Sequence, residues 1–185
     1  MGMIPPGMKR GAIYCLHREE YNNLTNDHME IVVVLPDIRS THNVGSIFRT
    51  ADAAGVKKVF LCGITPQPVD QFGRKRADIS KVALGAEEYI PWEYAQSAAR
   101  LIGRLKKEGY VVCAVEQSPK SLSYRAFKAP KGAKIALIMG SEVEGLPKPI
   151  LVRTDHILEI PMYGKKESLN VGVAFGVVVF GLINH

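Results

Sequence analysis

The sequence contains few cysteines, and their arrangement fits neither a disulfide framework nor a zinc site. Cys15, Cys62 and Cys113 show no paired spacing, and no cysteine–histidine pair has the spacing of zinc ligands. Cys62 and Cys113 lie in apolar runs and are predicted to be buried as small hydrophobic residues. Because the thiol count is odd and no signal-peptide pattern is present, we expect a cytoplasmic protein without a metal ion.

A hydrophobic run long enough to cross a membrane is also missing. The most apolar stretch, 169–183, has about 15 residues, whereas a spanning helix needs about 20. It also contains Asn170 and three glycines, of which Gly172 and Gly176 have the spacing that permits close helix packing. We therefore interpret this stretch as a buried C-terminal helix and expect no membrane partner.

The composition lacks the bias of a disordered or fibrous protein. Hydrophobic residues make up 46% and charged residues 23% of the 185 positions, which is typical of a single globular domain. The formal net charge is +6 and the pI is about 9.2. This charge favours a polyanionic partner, either nucleic acid or an acidic membrane, although it could equally serve solubility alone.

Apolar, β-branched runs alternate along the chain with helix-like segments. Strands are predicted at 31–35, 57–62, 110–115, 134–139 and 156–160. Helices are predicted at 44–55, 78–84, 94–108, 121–127, 147–153 and 168–183. This alternation indicates an α/β fold with a parallel sheet and helices on both faces. The dinucleotide fingerprint G-x-G-x-x-G is absent, which disfavours an NAD-dependent enzyme.

The most informative segment is 160–174, with the sequence IPMYGKKESLNVGVA. An apolar strand stops at Pro161, a loop of glycine and lysines follows, and Ser168 is predicted to cap the last helix. Asn170 then places a side-chain amide at the mouth of an otherwise apolar helix, where its polar atoms must find partners. The segment therefore predicts a binding site, without indicating the ligand.

Two further blocks each follow an apolar strand. Residues 43–50 read NVGSIFRT, and residues 137–146 read LIMGSEVEGL. In this order, the three blocks resemble the three motifs of the SpoU/TrmH branch of the SPOUT RNA methyltransferases, and the resemblance covers roughly 31–183. Residues 1–28 carry no matching motif, so we expect an N-terminal extension before a methyltransferase domain at 29–185.

The resemblance implies a fold, an activity and partners. The fold would be the SPOUT α/β knot, a parallel sheet flanked by helices with a C-terminal trefoil knot, in the minimal single-domain form. The chain would be an enzyme that uses S-adenosyl-L-methionine to methylate a ribose 2′-hydroxyl of tRNA or rRNA, acting as a homodimer. The alternative is a catalytically inactive RNA-binding module of the same fold, although the polar motif residues are all present.

The resemblance also assigns catalytic roles. Arg49 is expected to clamp phosphate and favour a developing alkoxide, acting across the dimer interface. Its spacing from Asn43 predicts that both lie near one end of the first helix. Asn43 is predicted to position a loop or RNA, or to cap that helix. The full catalytic set is Arg49, Asn43, Glu142, Ser168 and Asn170.

Cofactor binding is expected to rest mostly on backbone groups, and the resemblance matches Ile160 and Leu169 to positions that hold the cofactor, with Met162 beside them and Val115 as a weaker match. Gly140 permits close approach of the chain to the ligand, and Glu116 could accept a hydrogen bond from a ribose hydroxyl. The full cofactor set is Gly140, Ile160, Met162, Leu169, Val115 and Glu116.

Two basic clusters could contact RNA. Residues 74–76 read RKR, with Lys81 nearby, and predict either an RNA-backbone contact or a solvated charged face. Lys165 and Lys166 are the better candidates because they adjoin the predicted binding site.

Overall fold

The structure, a computed structural model, describes residues 29–141 and 145–183. The predictions for 1–28, including Cys15, and for Glu142 lie outside these residues. The described strands are β1 (Glu30–Pro36), β2 (Lys58–Cys62), β3 (Trp92–Ala95), β4 (Tyr110–Val115), β5 (Leu122–Ser123), β6 (Lys134–Met139) and β7 (His156–Glu159). The described helices are α1 (Thr41–Ala53), α2 (Ala77–Ala83), α3 (Ala86–Tyr89), α4 (Ala98–Lys107), α5 (Lys148–Leu151) and α6 (Val171–Ile183).

All strand pairs in the sheet are parallel, and the strand order is β3-β2-β1-β6-β4-β7-β5. The central strands β1, β6 and β4 are apolar almost throughout because helices cover both of their faces. In register, Val33 of β1 pairs with Leu137 of β6, which pairs in turn with Cys113 of β4. The predicted parallel α/β sheet is therefore confirmed.

Alternate residues of β1 supply two separate hydrophobic cores. Val33 and Leu35 pack with the apolar faces of α1, α2 and α6, whereas Val32 and Val34 pack with α4 and α5. Cys62 and Cys113 are buried in these cores, as predicted, and burial raises the pKa of each thiol to about 12. Both thiols are therefore structural hydrophobic groups.

The C-terminal helix α6 packs closely against α1. A Cβ atom added at Gly172 would lie 3.1 Å from Ser46 Oγ, and one added at Gly176 would lie 3.7 Å from Thr50 Cγ2. The two glycines therefore allow this close approach, in accordance with the predicted close packing. Among the described residues, no helix is long and apolar enough to cross a membrane.

Three predicted helix boundaries were wrong because side-chain caps lie elsewhere. α1 begins at Thr41 instead of 44, since Ser40 caps it by accepting from Asn43 N at 3.2 Å. α4 begins after its cap, Ser97, instead of at 94. α6 begins at Val171, so Ser168 precedes the helix by three residues.

Two strands were not predicted. Residues 92–95, partly assigned to a helix, form β3, which pairs with β2 at the edge of the sheet. The predicted helix at 121–127 is wrong, because Leu122–Ser123 forms β5 and pairs with β7. Both strands are short and only partly buried, so tertiary pairing decides their conformation more than local pattern does.

Candidate active site

A cavity of about 310 Å³ opens at the carboxyl edge of the sheet. Its walls come from the segments that follow β4, β6 and β7, which are neighbouring strands, and from the start of α6. Ligand sites of open α/β sheets commonly lie at this edge. All six residues predicted to bind the cofactor line this cavity: Val115, Glu116, Gly140, Ile160, Met162 and Leu169.

Glu116 ties the segment after β6 to the end of β4. Its Oε2 accepts from Leu146 N at 2.8 Å, and its Oε1 accepts from Gln117 N at 2.9 Å. A Cβ atom at Gly145 would lie 2.4 Å from Glu116 Oε2, and Gly145 has a φ of +63°. Glycine is therefore required there on both steric and conformational grounds. Each carboxylate oxygen retains a second lone pair that can accept from a ligand.

The cavity also contains groups that were not predicted. Gln117 Nε2 donates to the carbonyl oxygen of Glu167, which links the end of β4 to the exposed segment 163–170. Glu159 lies at the end of β7 and Gln117 just beyond β4, so their strand-end positions could have identified both. Glu167 carried no comparable signal. Among the described residues, the charged residues that line the cavity are all glutamates: Glu116, Glu159 and Glu167.

Asn170, not Ser168, caps α6. Asn170 Oδ1 accepts from Gly172 N at 2.9 Å and from Val173 N at 3.4 Å, which satisfies first-turn donors of the helix. Ser168 instead lines the cavity, next to Leu169. The predicted cap at Ser168 was therefore wrong, and Ser168 instead forms part of the wall of the predicted ligand site.

Asn170 also joins the first and third motifs. Its Nδ2 donates to Asn43 Oδ1 at 3.0 Å, across 127 positions of the chain. Asn43 is 7% exposed and lies in the first turn of α1, where its own backbone N–H donates to Ser40. Asn43 is thus not the cap of α1. Its amide holds the start of α6 by a hydrogen bond, which agrees with the positioning alternative.

Arg49 lies apart from both asparagines. It is the ninth residue of α1, about 9 Å farther along the helix axis than Asn43, so the prediction that both lie near one end was wrong. Its side chain is exposed, and among the described residues it makes no hydrogen bond or ion pair. Arg49 is not part of the wall of the cavity in its own chain.

The basic cluster at 74–76 is largely neutralised by carboxylates. Arg74 pairs with Asp70 at 2.8 Å, Lys75 with Glu88 at 2.7 Å, and Arg76 with Asp78 at 2.8 Å. These pairs favour the charged-face alternative over an RNA-backbone contact. Lys165 and Lys166 are exposed beside the cavity, in the segment that carries Ser168.

Comparison with known proteins gives a consistent match. The sequence model described as the SpoU rRNA Methylase family matches residues 30–180. The chain is 36% identical over 156 residues to the 23S rRNA (guanosine-2′-O-)-methyltransferase RlmB of Ralstonia nicotianae, covering 84% of this chain and 59% of the relative. It is 32% identical over 155 residues to RlmB of Escherichia coli, covering 83% of this chain and 60% of that relative.

Solved structures match over a similar extent. An AdoMet-bound rRNA methyltransferase from Sinorhizobium meliloti superposes with a TM-score of 0.74 at 30% identity, covering 82% of this chain and 55% of that one. A structure described as giving insight into 2-OH methylation of C/U34 on tRNA has a TM-score of 0.70 at 26% identity, covering 84% of this chain and 95% of that one. The chain spans about three fifths of the length of the curated relatives. It belongs to the SpoU rRNA Methylase family.

Proposed function

We propose that this protein transfers the methyl group of S-adenosyl-L-methionine to a ribose 2′-hydroxyl of RNA, in rRNA or tRNA. The observation that carries the proposal is the single cavity in which all six predicted cofactor residues and Ser168 meet. Relatives named as 23S rRNA (guanosine-2′-O-)-methyltransferases, and an AdoMet-bound structural neighbour, support the same reaction.

The chemistry of the cavity fits this cofactor. Leu169, Ile160 and Met162 offer apolar surface for an adenine ring, and the backbone around Gly140 offers hydrogen-bonding groups. The three carboxylates of the wall favour a ligand with a positive charge, such as a sulfonium and ammonium compound, over a dinucleotide phosphate. When bound, S-adenosyl-L-methionine supplies an electrophilic methyl group.

The protein residues would act on the acceptor hydroxyl. Arg49 would hold phosphate and stabilise the developing alkoxide, since a guanidinium can donate two parallel hydrogen bonds. Ser168 lies in the cavity wall and would orient the acceptor hydroxyl. Asn43 and Asn170 would act as positioning residues by fixing the start of α6. We also propose that Glu142 orients the active site.

A homodimer would bring Arg49 to a cavity. Arg49 is exposed and is not part of the cavity wall of its own chain. Beside it, α6 presents an apolar stripe at positions spaced by three and four, of which Val173 is 52% and Phe180 39% exposed. Exposed apolar helix faces of this kind are typical of interfaces between subunits. We therefore propose that Arg49 serves the cofactor cavity of the partner.

The first prediction is that Val173→Glu weakens the dimer by about 10- to 100-fold. Val173 is exposed in the single chain, so a glutamate there should leave the fold intact, but in a dimer interface it would bury a charge. Sedimentation velocity over a micromolar concentration series measures the shift toward a species of about 20 kDa. Val152→Glu, at another exposed apolar position, is the matched control. A wild-type protein that sediments only as a monomer at micromolar concentration contradicts the dimer.

The second prediction is that Leu169→Ala weakens cofactor binding about tenfold, which corresponds to about 1.4 kcal/mol. Leu169 lines the cavity and is 39% exposed, so its loss removes ligand contact and leaves no fully enclosed void. Isothermal titration gives the affinity, and thermal melting checks the fold. Val152→Ala is the control. A lower melting temperature with unchanged affinity would identify Leu169 as a packing residue instead.

The wider organisation of the protein is proposed from the family resemblance. We propose a C-terminal trefoil knot, a domain spanning 29–185 after an N-terminal extension, and a cytoplasmic location. The knot rests on the family resemblance, and the path of the chain is compatible with it, because the segment after β7 lines the cavity before α6 packs on α1.

Titration and methyl transfer together test the proposed function. Binding of S-adenosyl-L-methionine and of its demethylated product, with transfer of labelled methyl groups to rRNA or tRNA, is the expected result. Nuclease digestion should locate the label in 2′-O-methylated nucleosides. Cofactor binding without transfer to either RNA would favour the inactive RNA-binding module, and absence of cofactor binding would overturn the assignment.

A further inference from the structure

A small hairpin follows β2 and presents an aromatic ring to solvent. Val69 and Lys75 form an antiparallel bridge, and the Asp70 carboxylate accepts from Phe72 N at 2.8 Å and from Arg74 N at 3.0 Å. These bonds close a tight turn with Phe72 at its tip. The Phe72 side chain is 70% exposed.

The loop that carries the hairpin is anchored to the sheet. Thr65 Oγ1 donates to Leu35 O at 2.7 Å and accepts from Ile38 N at 3.0 Å, and Thr65 itself is 3% exposed. At the other end of the hairpin, Arg76 N donates to Pro68 O at 2.9 Å. The exposed ring therefore sits on a well-supported loop, which would hold it in place before any ligand arrives.

A cleft of about 470 Å³ lies between this loop and the end of β3. Phe72 and Tyr94 both line it, and Tyr94 is 42% exposed, with its hydroxyl donating to Gly63 O at 3.1 Å. The Arg74 guanidinium lies 4.9 Å from the centre of the Phe72 ring. The cleft thus combines two aromatic rings, a planar cation and peptide groups, in a volume that suits a nucleobase.

The charges around the cleft are unsuited to phosphate as the main ligand. Arg74 is held by Asp70 and Arg76 by Asp78, so the two guanidinium groups that line the cleft are already paired. Aromatic rings and guanidinium planes, by contrast, are the surfaces on which proteins stack unpaired RNA bases. We propose that this cleft binds one unpaired nucleobase of the RNA substrate, stacked on the face of the Phe72 ring that Arg74 leaves open, with the Arg74 guanidinium supporting the opposite face.

The position of the cleft suits a base near the methylated nucleotide, and this step rests on the proposed function. The cleft and the cofactor cavity both lie at the carboxyl edge of the sheet. β2 is two strands from β6 and three from β4, which gives a separation of about 10 to 14 Å between strand axes. A single RNA strand could therefore reach both sites within a few nucleotides.

The test compares three variants at Phe72 with one control. Phe72→Ala removes the ring, Phe72→Leu keeps apolar bulk without it, and Phe72→Trp keeps a larger ring. Tyr89→Ala removes another exposed aromatic ring, 77% exposed, that is not part of the cleft wall. Each protein is titrated with a single-stranded 12-nucleotide oligo(A), with oligo(U) of equal length and with an RNA duplex, across a salt series.

We expect Phe72→Ala and Phe72→Leu to bind the single strands about 5- to 150-fold more weakly, with the duplex affinity unchanged. The slope of affinity against salt should stay the same, because no phosphate contact is removed. Phe72→Trp should retain affinity. Oligo(A) should quench the tryptophan fluorescence of this variant more than that of the wild type, in which Trp92 is the only tryptophan. Tyr89→Ala should bind like the wild type.

Three outcomes would overturn the proposal: wild-type single-strand affinity in Phe72→Ala, an equal loss for single strand and duplex, or an equal loss in Tyr89→Ala. Cofactor titration of each variant separates this proposal from the proposed function. If the wild type binds no S-adenosyl-L-methionine, the proposed function fails. If the wild type binds S-adenosyl-L-methionine but the Phe72 variants bind single-stranded RNA as tightly as the wild type, only the stacking site is wrong.

Discussion

Replacing Arg49 with alanine is expected to reduce methyl transfer by at least about a thousandfold while changing cofactor affinity less than about threefold. The side chain is exposed, makes no hydrogen bond or ion pair among the described residues and is not part of the cavity wall of its own chain. Its removal should therefore cost little stability. In its proposed role the guanidinium holds phosphate and the developing alkoxide, so its loss would remove an interaction that is strongest in the transition state.

Single-turnover rates at saturating RNA and cofactor measure this effect, with isothermal titration for cofactor affinity. Arg100→Ala removes an exposed arginine from α4 and serves as the matched control. Arg49→Lys keeps the charge but loses the two-pronged donor, so it should recover only a small part of the rate. Loss of cofactor binding in a folded Arg49→Ala protein would contradict the assigned role.

Mixed dimers test whether Arg49 acts across the interface. An Arg49→Ala chain retains its cofactor cavity, and a chain with a disabled cavity retains Arg49. In a heterodimer of the two, one complete site can form only if the arginine serves the partner. We expect about half of the wild-type activity per dimer, from two chains that are each inactive as homodimers. Absence of activity in a verified heterodimer would place Arg49 in its own chain's site.

The sheet was predictable because its central strands are buried on both faces. The sequences of β1, β4 and β6 are nearly continuous apolar runs, a pattern that is typical of strands in parallel sheets covered on both faces. β3 was missed because its residues, Trp92–Ala95, include a glutamate and an exposed tyrosine and occupy a sheet edge. Apolar residues on both faces were the pattern that predicted a strand, and the edge strand β3 contains few of them.

The cofactor residues were predictable as a group because the family resemblance names them and most of them lie at or just after the end of a parallel strand. The ends of β4, β6 and β7 meet at one edge, so residues such as Glu116, Gly140 and Ile160 share a cavity. The residue that caps α6, and so the position at which this helix begins, was not predictable. Ser168 and Asn170 are both good N-caps, and the choice depends on where Gly172 packs against Ser46. That contact joins two distant segments and leaves no local pattern.

The ion pairs of the basic cluster could not be predicted from the sequence pattern either. Residues 74–76 form a basic run, but the fold supplies a carboxylate to each of its three cations. The partner of Lys75 is Glu88, thirteen positions away, and it is brought close only by the turn between α2 and α3. A run of like charges therefore gives little information about the local field until its partners are known.

The hydrogen bond between Asn170 and Asn43 is the second site of large expected effect. Asn170→Ala removes the cap of α6 and the donor to Asn43 Oδ1 together. We expect the free energy of unfolding to fall by about 2 kcal/mol, from a cap contribution of about 1 kcal/mol and a similar contribution from the partly buried hydrogen bond. Chemical denaturation measures this change.

Variants of intermediate chemistry separate the two contributions. Asn170→Ser keeps an oxygen that can cap the helix but has no amide donor for Asn43, so it should recover about 1 kcal/mol of the loss. Ser97→Ala removes the cap of α4, where the serine accepts from Arg100 N at 3.4 Å, and is the control for loss of a cap away from the cavity. It should lower stability without changing turnover.

The same bond should also matter for catalysis because Ser168 and Leu169 lie immediately before Asn170 in the cavity wall. Without the bond, the start of α6 is held less firmly, and the groups that face the methyl acceptor lose their alignment. We expect single-turnover rates of both Asn170→Ala and Asn43→Ala to fall at least about tenfold at saturating cofactor. A double-mutant cycle should give a coupling of about 0.5–3 kcal/mol in stability. Additive stability losses with unchanged turnover would show that the two asparagines act independently and outside the catalytic site.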